Sequence, residues 1–178
     1  MDSILPAVLT GLAAGVGIVA LFAFVGGFGI IPPIPADTHG VVITLERTAC
    51  FGVCPDYAVT IYGNGSVIYN GRHLVPVTGI RTSQISEESV RILVTQFYRI
   101  GYFSLNDKYT APVTDLPTTI TSITVSGSTK KVIDYYGAPG SLKSLEEKID
   151  STVGTDKWVK CPPGQQVDYE KGGCKVRR

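Results

Sequence analysis

Four cysteines carry most of the chemistry open to this chain, and they come in two close pairs, Cys50 with Cys54 and Cys161 with Cys174. Thiols can cross-link, exchange electrons or bind a soft metal, and spacing helps to separate these roles. Redox pairs are typically C-x-x-C at a helix N-terminus, and common structural zinc sites use knuckles of similar tightness. Neither C-x3-C nor C-x12-C has that form. Local cross-linking is the favoured arrangement, because each pair is near in sequence and encloses turn-forming residues. In the chain-entropy model the two closed loops contribute ~2 and ~3 kcal/mol. Crossed pairing and a thiol-redox or metal-handling role for Cys50 and Cys54 are the alternatives that spacing leaves open.

The remaining candidates for chemistry are sparse. His39 and His73 are the two histidines, and both read as surface residues. The sequence contains no H-E-x-x-H, no G-x-S-x-G and no phosphate-binding loop. Gly63-Asn64-Gly65 is a hairpin turn and no dinucleotide fingerprint, because a strand follows it. Asp107, Tyr109 and Asp115 share a loop, and loops on rigid scaffolds often carry function. They are the candidate ligand or partner residues, against the plainer reading of turn and capping chemistry. No catalytic residue, cofactor or metal site is expected, and the sequence favours a non-catalytic protein.

The elements that must position these residues follow from hydrophobic periodicity. Residues 41–48 alternate and are rich in β-branched side chains, which predicts a first strand. After the cysteine corner, Tyr57, Val59 and Ile61 fall on one face of a second strand. Ser66 to Tyr69 returns as a third, and Asn70-Gly71 reads as a further turn. His73 to Arg81 forms a fourth, held to an edge or a bulge by Pro76. Ser86 is a good N-cap, with Val90, Leu93, Val94 and Phe97 at helical spacing over 86–100. The stretch 106–117 reads as a loop. A second hairpin turns at Ser126-Gly127-Ser128, and a second helix carries Leu142, Leu145, Ile149 and Val153 on one face. The prediction is an α+β fold: an antiparallel sheet with two helices on one face and no parallel crossover.

The N-terminal segment differs from all of this. No charged residue occurs from Ile4 to Ile31, and some twenty apolar residues in a helix span roughly 30 Å, the thickness of a bilayer core. Residues 4–27 are expected to be a transmembrane helix, and residues 1–31 an uncleaved anchor: no basic residue precedes the apolar run, which exceeds a signal peptide's length. Gly11 and Gly15 have the small-xxx-small spacing of packed membrane helices. A Gly/Pro linker over 32–40 then leads to an α+β domain over 41–156 and a basic, cross-linked tail over 157–178. Paired cysteines persist in oxidising compartments, so the expectation is a single-pass protein of the cell membrane with its C-terminal domain extracytoplasmic. Residues 37–178 hold 16 Lys or Arg against 14 Asp or Glu. That balance argues for no nucleic-acid partner. The lipid bilayer and a protein in the membrane or envelope are the expected partners.

One stretch is distinctive: Arg47-Thr48-Ala49-Cys50-Phe51-Gly52-Val53-Cys54-Pro55-Asp56-Tyr57, followed by Ile61-Tyr62-Gly63-Asn64-Gly65 and Val67-Ile68-Tyr69-Asn70-Gly71. With these motifs, residues 41 to 158 or so resemble a family of extracytoplasmic domains of unknown function that carries Cys-Phe-Gly-x-Cys-Pro-x-Tyr. Thr114-Asp115-Leu116-Pro117 and the Lys131 to Tyr135 strand are similar too. Ala49 departs from the proline expected before the first cysteine, which bears on the stiffness of the loop. The resemblance implies a small secreted or anchored domain and brings no activity, substrate or catalytic residue with it.

Overall fold

The computed structural model describes residues 33–176. The expected membrane helix over residues 4–27, with Gly11 and Gly15, lies outside the described residues. Among those described, no helix is long and apolar enough to cross a membrane.

Alternating sequence builds the sheet. The strands are β1 (Val42–Arg47), β2 (Asp56–Tyr62), β3 (Ser66–His73), β4 (Gly79–Gln84), β5 (Lys108–Tyr109), β6 (Thr119–Val125) and β7 (Ser128–Asp134). They lie in the order β4-β3-β2-β1-β6-β7-β5. Every neighbour is antiparallel except β5, which runs parallel to β7. This corrects the expectation of a plain loop over 106–117 and adds one parallel pair to a sheet expected to be antiparallel. The helix after β4 carries the chain from one edge of the sheet to the other. There Asp107 and Tyr109 accept hydrogen bonds from Ile133 N and Tyr135 N at 2.9 and 3.1 Å. Two residues are too few to show a period, so sequence pattern does not reveal such a strand.

Both principal helices, α1 (Glu87–Arg99) and α2 (Gly140–Val153), cover one face. Val90, Leu93, Val94 and Phe97 of α1 join Leu142, Leu145, Ile149 and Val153 of α2 in a single core with Ile43, Leu45, Val59, Ile61, Ile123 and Val132. The Ser86 side chain accepts from Ser89 N at 3.1 Å, which caps α1 as expected. Gly101, with φ of 66°, ends the path in a left-handed turn. The opposite face of the sheet is partly exposed and mostly polar, though Val42, Ile68, Ile120 and Ile133 lie on it, and Thr44 and Ser122 hydrogen-bond across it at 2.6 Å. Antiparallel sheets commonly leave one face to solvent in this way.

Three local readings change. The fourth strand is Gly79–Gln84 and not His73 to Arg81: His73 ends β3, and residues 74–78, with Pro76, form no strand. Asn70-Gly71 is no turn; both residues lie within β3. Gly71 is required there by packing, since a Cβ would come within 2.2 Å of the Val77 carbonyl oxygen and 2.6 Å of the Tyr69 hydroxyl. The fold also continues past the second helix. A short α3 (Asp156–Val159) sets Trp158 in the core, its ring stacked on Tyr69 at 4.6 Å between centroids. Beyond it, β8 (Gln165–Val167) and β9 (Cys174–Val176) form a separate two-stranded ribbon.

Candidate functional site

The cysteines pair locally. Cys50 bonds Cys54 and Cys161 bonds Cys174, with Cα separations of 5.5 and 5.7 Å. Gly52, at φ of 157°, lets the first loop close, and its amide donates to the Cys50 carbonyl oxygen at 2.9 Å. The corner is tied to the loop before β6. Thr48 N donates to Thr118 O, and Thr118 N donates back to the Thr48 hydroxyl, each at 3.0 Å. The clamp leaves Phe51 90% and Val53 70% exposed at its tip.

The proposed loop residues engage different neighbours. Asp107 pairs with Lys130 of β7 and is largely exposed. Tyr109 lies in β5, its hydroxyl accepting from Asn106 N at 3.3 Å. Asp115, at a positive φ of 69°, accepts from the Thr114 hydroxyl, and its carbonyl oxygen accepts from Phe51 N.

Beneath the corner lies a polar cluster whose geometry follows from strand register. Tyr57 pairs with Arg47, Arg47 with Thr119, and Thr119 with Asp134. These four form one row across β2, β1, β6 and β7. Helix α2 crosses that row. Lys143 and Asp150 are seven residues apart, a rise of roughly 10 Å, which matches the roughly 10 Å between β7 and β1 at two strand spacings. Lys143 accordingly reaches Asp134 Oδ2 at 2.9 Å. Asp150 receives Arg47 Nη2 at 2.8 Å, the Tyr57 hydroxyl at 2.7 Å and the Thr155 hydroxyl at 2.8 Å. Arg47 Nη1 also donates to the Thr119 hydroxyl at 3.1 Å.

Electrostatics in the row are correspondingly perturbed. Burial disfavours the charged Arg47 guanidinium, but attraction to Asp150, its hydrogen bond there, and the Tyr57 and Glu146 groups together outweigh it, and the pKa stands above the ordinary arginine value. Burial, reinforced by the Asp150 carboxylate, pushes the Tyr57 phenol far above its usual range, so Tyr57 is a permanent donor.

Glu146 is the unusual member. It is 3% exposed, and its Oε1 has no hydrogen-bond partner; the same is true of Asp134 Oδ1, in a residue 4% exposed. Buried polar atoms are nearly always paired, so two such orphans in adjoining carboxyl groups are unusual, and a proton held on Glu146 supplies the donor they lack. Burial first, then the Asp134 carboxylate, raise the Glu146 pKa from 4.5 to about 7, while Arg47 and Lys143 pull it down. Asp134 and Glu146 are among the residues around a cavity of about 420 Å³, with Leu116, Pro117, Tyr135 and Tyr136, but their orphan oxygens are sealed from solvent.

Sequence reasoning missed this cluster, although a signal existed. Glu146 falls within the apolar stripe of Leu142, Leu145 and Ile149, and Asp134 continues the inward alternation of Val132. A carboxylate on an apolar stripe is the mark that identifies both. Among the described residues, no group of three or more His, Cys, Asp or Glu is arranged to hold a metal ion.

No curated protein matches the chain. A family model described as "Domain of unknown function (DUF6438)" matches residues 41–153, a span running from the start of the sheet to the last residue of α2. The chain therefore belongs to this family of domains of unknown function.

Proposed function

We propose that this protein is a non-catalytic interaction domain, tethered by its N-terminal segment and displayed outside the cytoplasm, where it serves as an accessory subunit of a membrane or cell-envelope complex. The observation that carries this reading is the cross-linked corner. Single exposed apolar residues are ordinary, but Phe51 and Val53 stand 90% and 70% exposed on a loop whose ends are covalently fixed. The loop has no freedom to fold them inward. Val113 and Leu116, on the neighbouring loop that the corner hydrogen-bonds, extend the apolar area.

The occupant is a protein and not the anchoring bilayer. The chain reaches β1 through Thr38, which packs on Gly63, and the corner lies at the other end of that six-residue strand, about 20 Å away. The test is a photo-reactive residue placed at Phe51 in the full-length protein in cells, with one at Tyr62, at the opposite end, as control. A discrete adduct with one membrane or envelope protein from position 51 and none from position 62 supports the reading. No adduct at 51, or the same set at both positions, rejects it. The competing reading, thiol redox or metal handling at Cys50 and Cys54, predicts reduction by mild thiols or bound metal, and thiol titration of the purified protein separates the two.

A further inference from the structure

The two edges of the sheet are finished differently. At one edge β5 is two residues long; at the other β4 has six, and neither a bulge nor a proline interrupts its pairing with β3. Edge strands usually carry such interruptions, because their free N–H and C=O groups are a template for another strand. The register shows which groups are free. Ile85 N donates to Gly65 O, and alternation along the antiparallel ladder then turns Ser83, Arg81 and Gly79 toward β3. The N–H and C=O groups of Ile80, Thr82 and Gln84 face outward. Arg81 Nη1 donates to the Ile80 carbonyl oxygen at 2.7 Å, and among the described residues the other outward backbone groups have no partner. The flanks add charge on one side and apolar surface on the other. Arg81 lies opposite buried Tyr69, on the face that the helices cover, and Lys157 Nζ donates to the Ser83 hydroxyl there at 3.2 Å. Neither cation is ion-paired among the described residues. On the outer flank Ile80 is 64% exposed.

We propose that β4 receives an extended segment of a partner protein as an added antiparallel strand, in which acidic residues alternate with apolar, β-branched ones. Main-chain hydrogen bonds to Ile80, Thr82 and Gln84 supply affinity, and the alternate side chains supply specificity. An acidic residue opposite Arg81, and another opposite Ser83, answer Arg81 and Lys157, while the residues between them cover Ile80 on the outer flank. A second copy of the chain is a poor occupant. The symmetric pairing of two β4 strands that uses every outward group centres on Thr82. It sets Arg81 of each against Ser83 and Lys157 of the other, like charges with no acid between them. Residues of the added strand that lie opposite Arg81 and Ser83 turn their own amides away from β4, so the apolar residues between them make the hydrogen bonds. This edge is separate from the cysteine corner and does not rest on the reading of Phe51.

The test titrates the isotope-labelled full-length protein, in detergent, with the end-capped peptide Thr-Val-Glu-Val-Glu-Val-Thr. Saturable shifts and slowed hydrogen exchange at the amides of Ile80, Thr82 and Gln84 are the expected result. Methyl groups on the valine nitrogens should weaken binding at least about tenfold. Methyl groups on the glutamate nitrogens should not, because those amides point away from β4. Lysine in place of both glutamates should also weaken binding, and Arg81→Glu should reverse that preference. Thr82→Pro removes an outward N–H and leaves the ladder to β3 intact, so it should abolish binding at an unchanged melting temperature. Arg81→Glu keeps the test decisive should the proline variant misfold. No saturable change at β4, equal affinity for the valine-methylated peptide, or full affinity in the folded variants overturns the proposal. Protection of the same amides that grows with protein concentration in the absence of peptide assigns the edge to a second copy, and overturns it as well. These readouts are independent of the Phe51 adduct, so the two proposals fail separately.

Discussion

The Tyr57 hydroxyl donates to Asp150 Oδ1 at 2.7 Å, across 93 residues of sequence. That bond ties the strand leaving the cysteine corner to the helix that closes the domain. Asp150 also takes Arg47 and Thr155, so one carboxylate gathers three donors from β1, β2 and the turn after α2. Asp150→Ala strands all of them, with Tyr57 and Thr155 both buried. The expected loss is about 2–3 kcal/mol, at the low end for a broken buried pair because Arg47 is partly exposed. Asp150→Asn, which retains an acceptor, should lose less. Urea unfolding midpoints measure both.

Glu146 makes stability depend on pH with a definite sign. Its carboxyl titrates near 4.5 when unfolded and at about 7 when folded. Between those values the native chain holds a proton that the unfolded chain has released, so this group's contribution is complete below pH 4.5 and is lost as pH rises through about 7. The whole effect is bounded at about 3 kcal/mol. Glu146→Gln should remove that part of the slope, and chemical denaturation at intervals from pH 4 to 8 for both proteins checks it. A wild-type curve that rises across the window relative to the variant contradicts the assignment.

Gly71 is fixed by what surrounds it. Gly71→Ala places a methyl group against the Val77 carbonyl and the Tyr69 hydroxyl, which are themselves hydrogen-bonded at 3.0 Å. The expected cost is about 2–3 kcal/mol, as for overpacked cores. Tyr69 stacks on the single tryptophan, Trp158. A shifted native-state fluorescence spectrum should therefore accompany the lower melting temperature.

Trp158 lies beyond the span that the family model matches, yet it is 9% exposed and its carbonyl oxygen accepts from Val77 N at 3.2 Å. Trp158→Ala should cost about 3 kcal/mol or more, as for other large aromatic truncations. A chain ending at residue 153 should be destabilised to at least the same degree. Thermal unfolding of the two variants beside the intact protein measures this; equal melting temperatures would place Trp158 outside the cooperative unit.

What could be read without coordinates was what depends on neighbours along the chain. The inward alternation of Tyr57, Val59 and Ile61, the apolar stripe of Val90, Leu93, Val94 and Phe97, the Ser86 cap and the turns at Asn64-Gly65 and Ser126-Gly127 are local matters of period and backbone preference. The two disulfides are local as well, each closing a short loop. The polar row is not. Tyr57, Arg47, Thr119 and Asp134 meet only because three strand pairings share a register, and Glu146 joins them only because α2 crosses the strands at that row. Nor could a two-residue strand, a glycine needed by a distant carbonyl, or a tryptophan that completes the core from beyond α2 announce itself. Each is decided by contacts between residues far apart in sequence, and periodicity carries no record of which distant residues will meet.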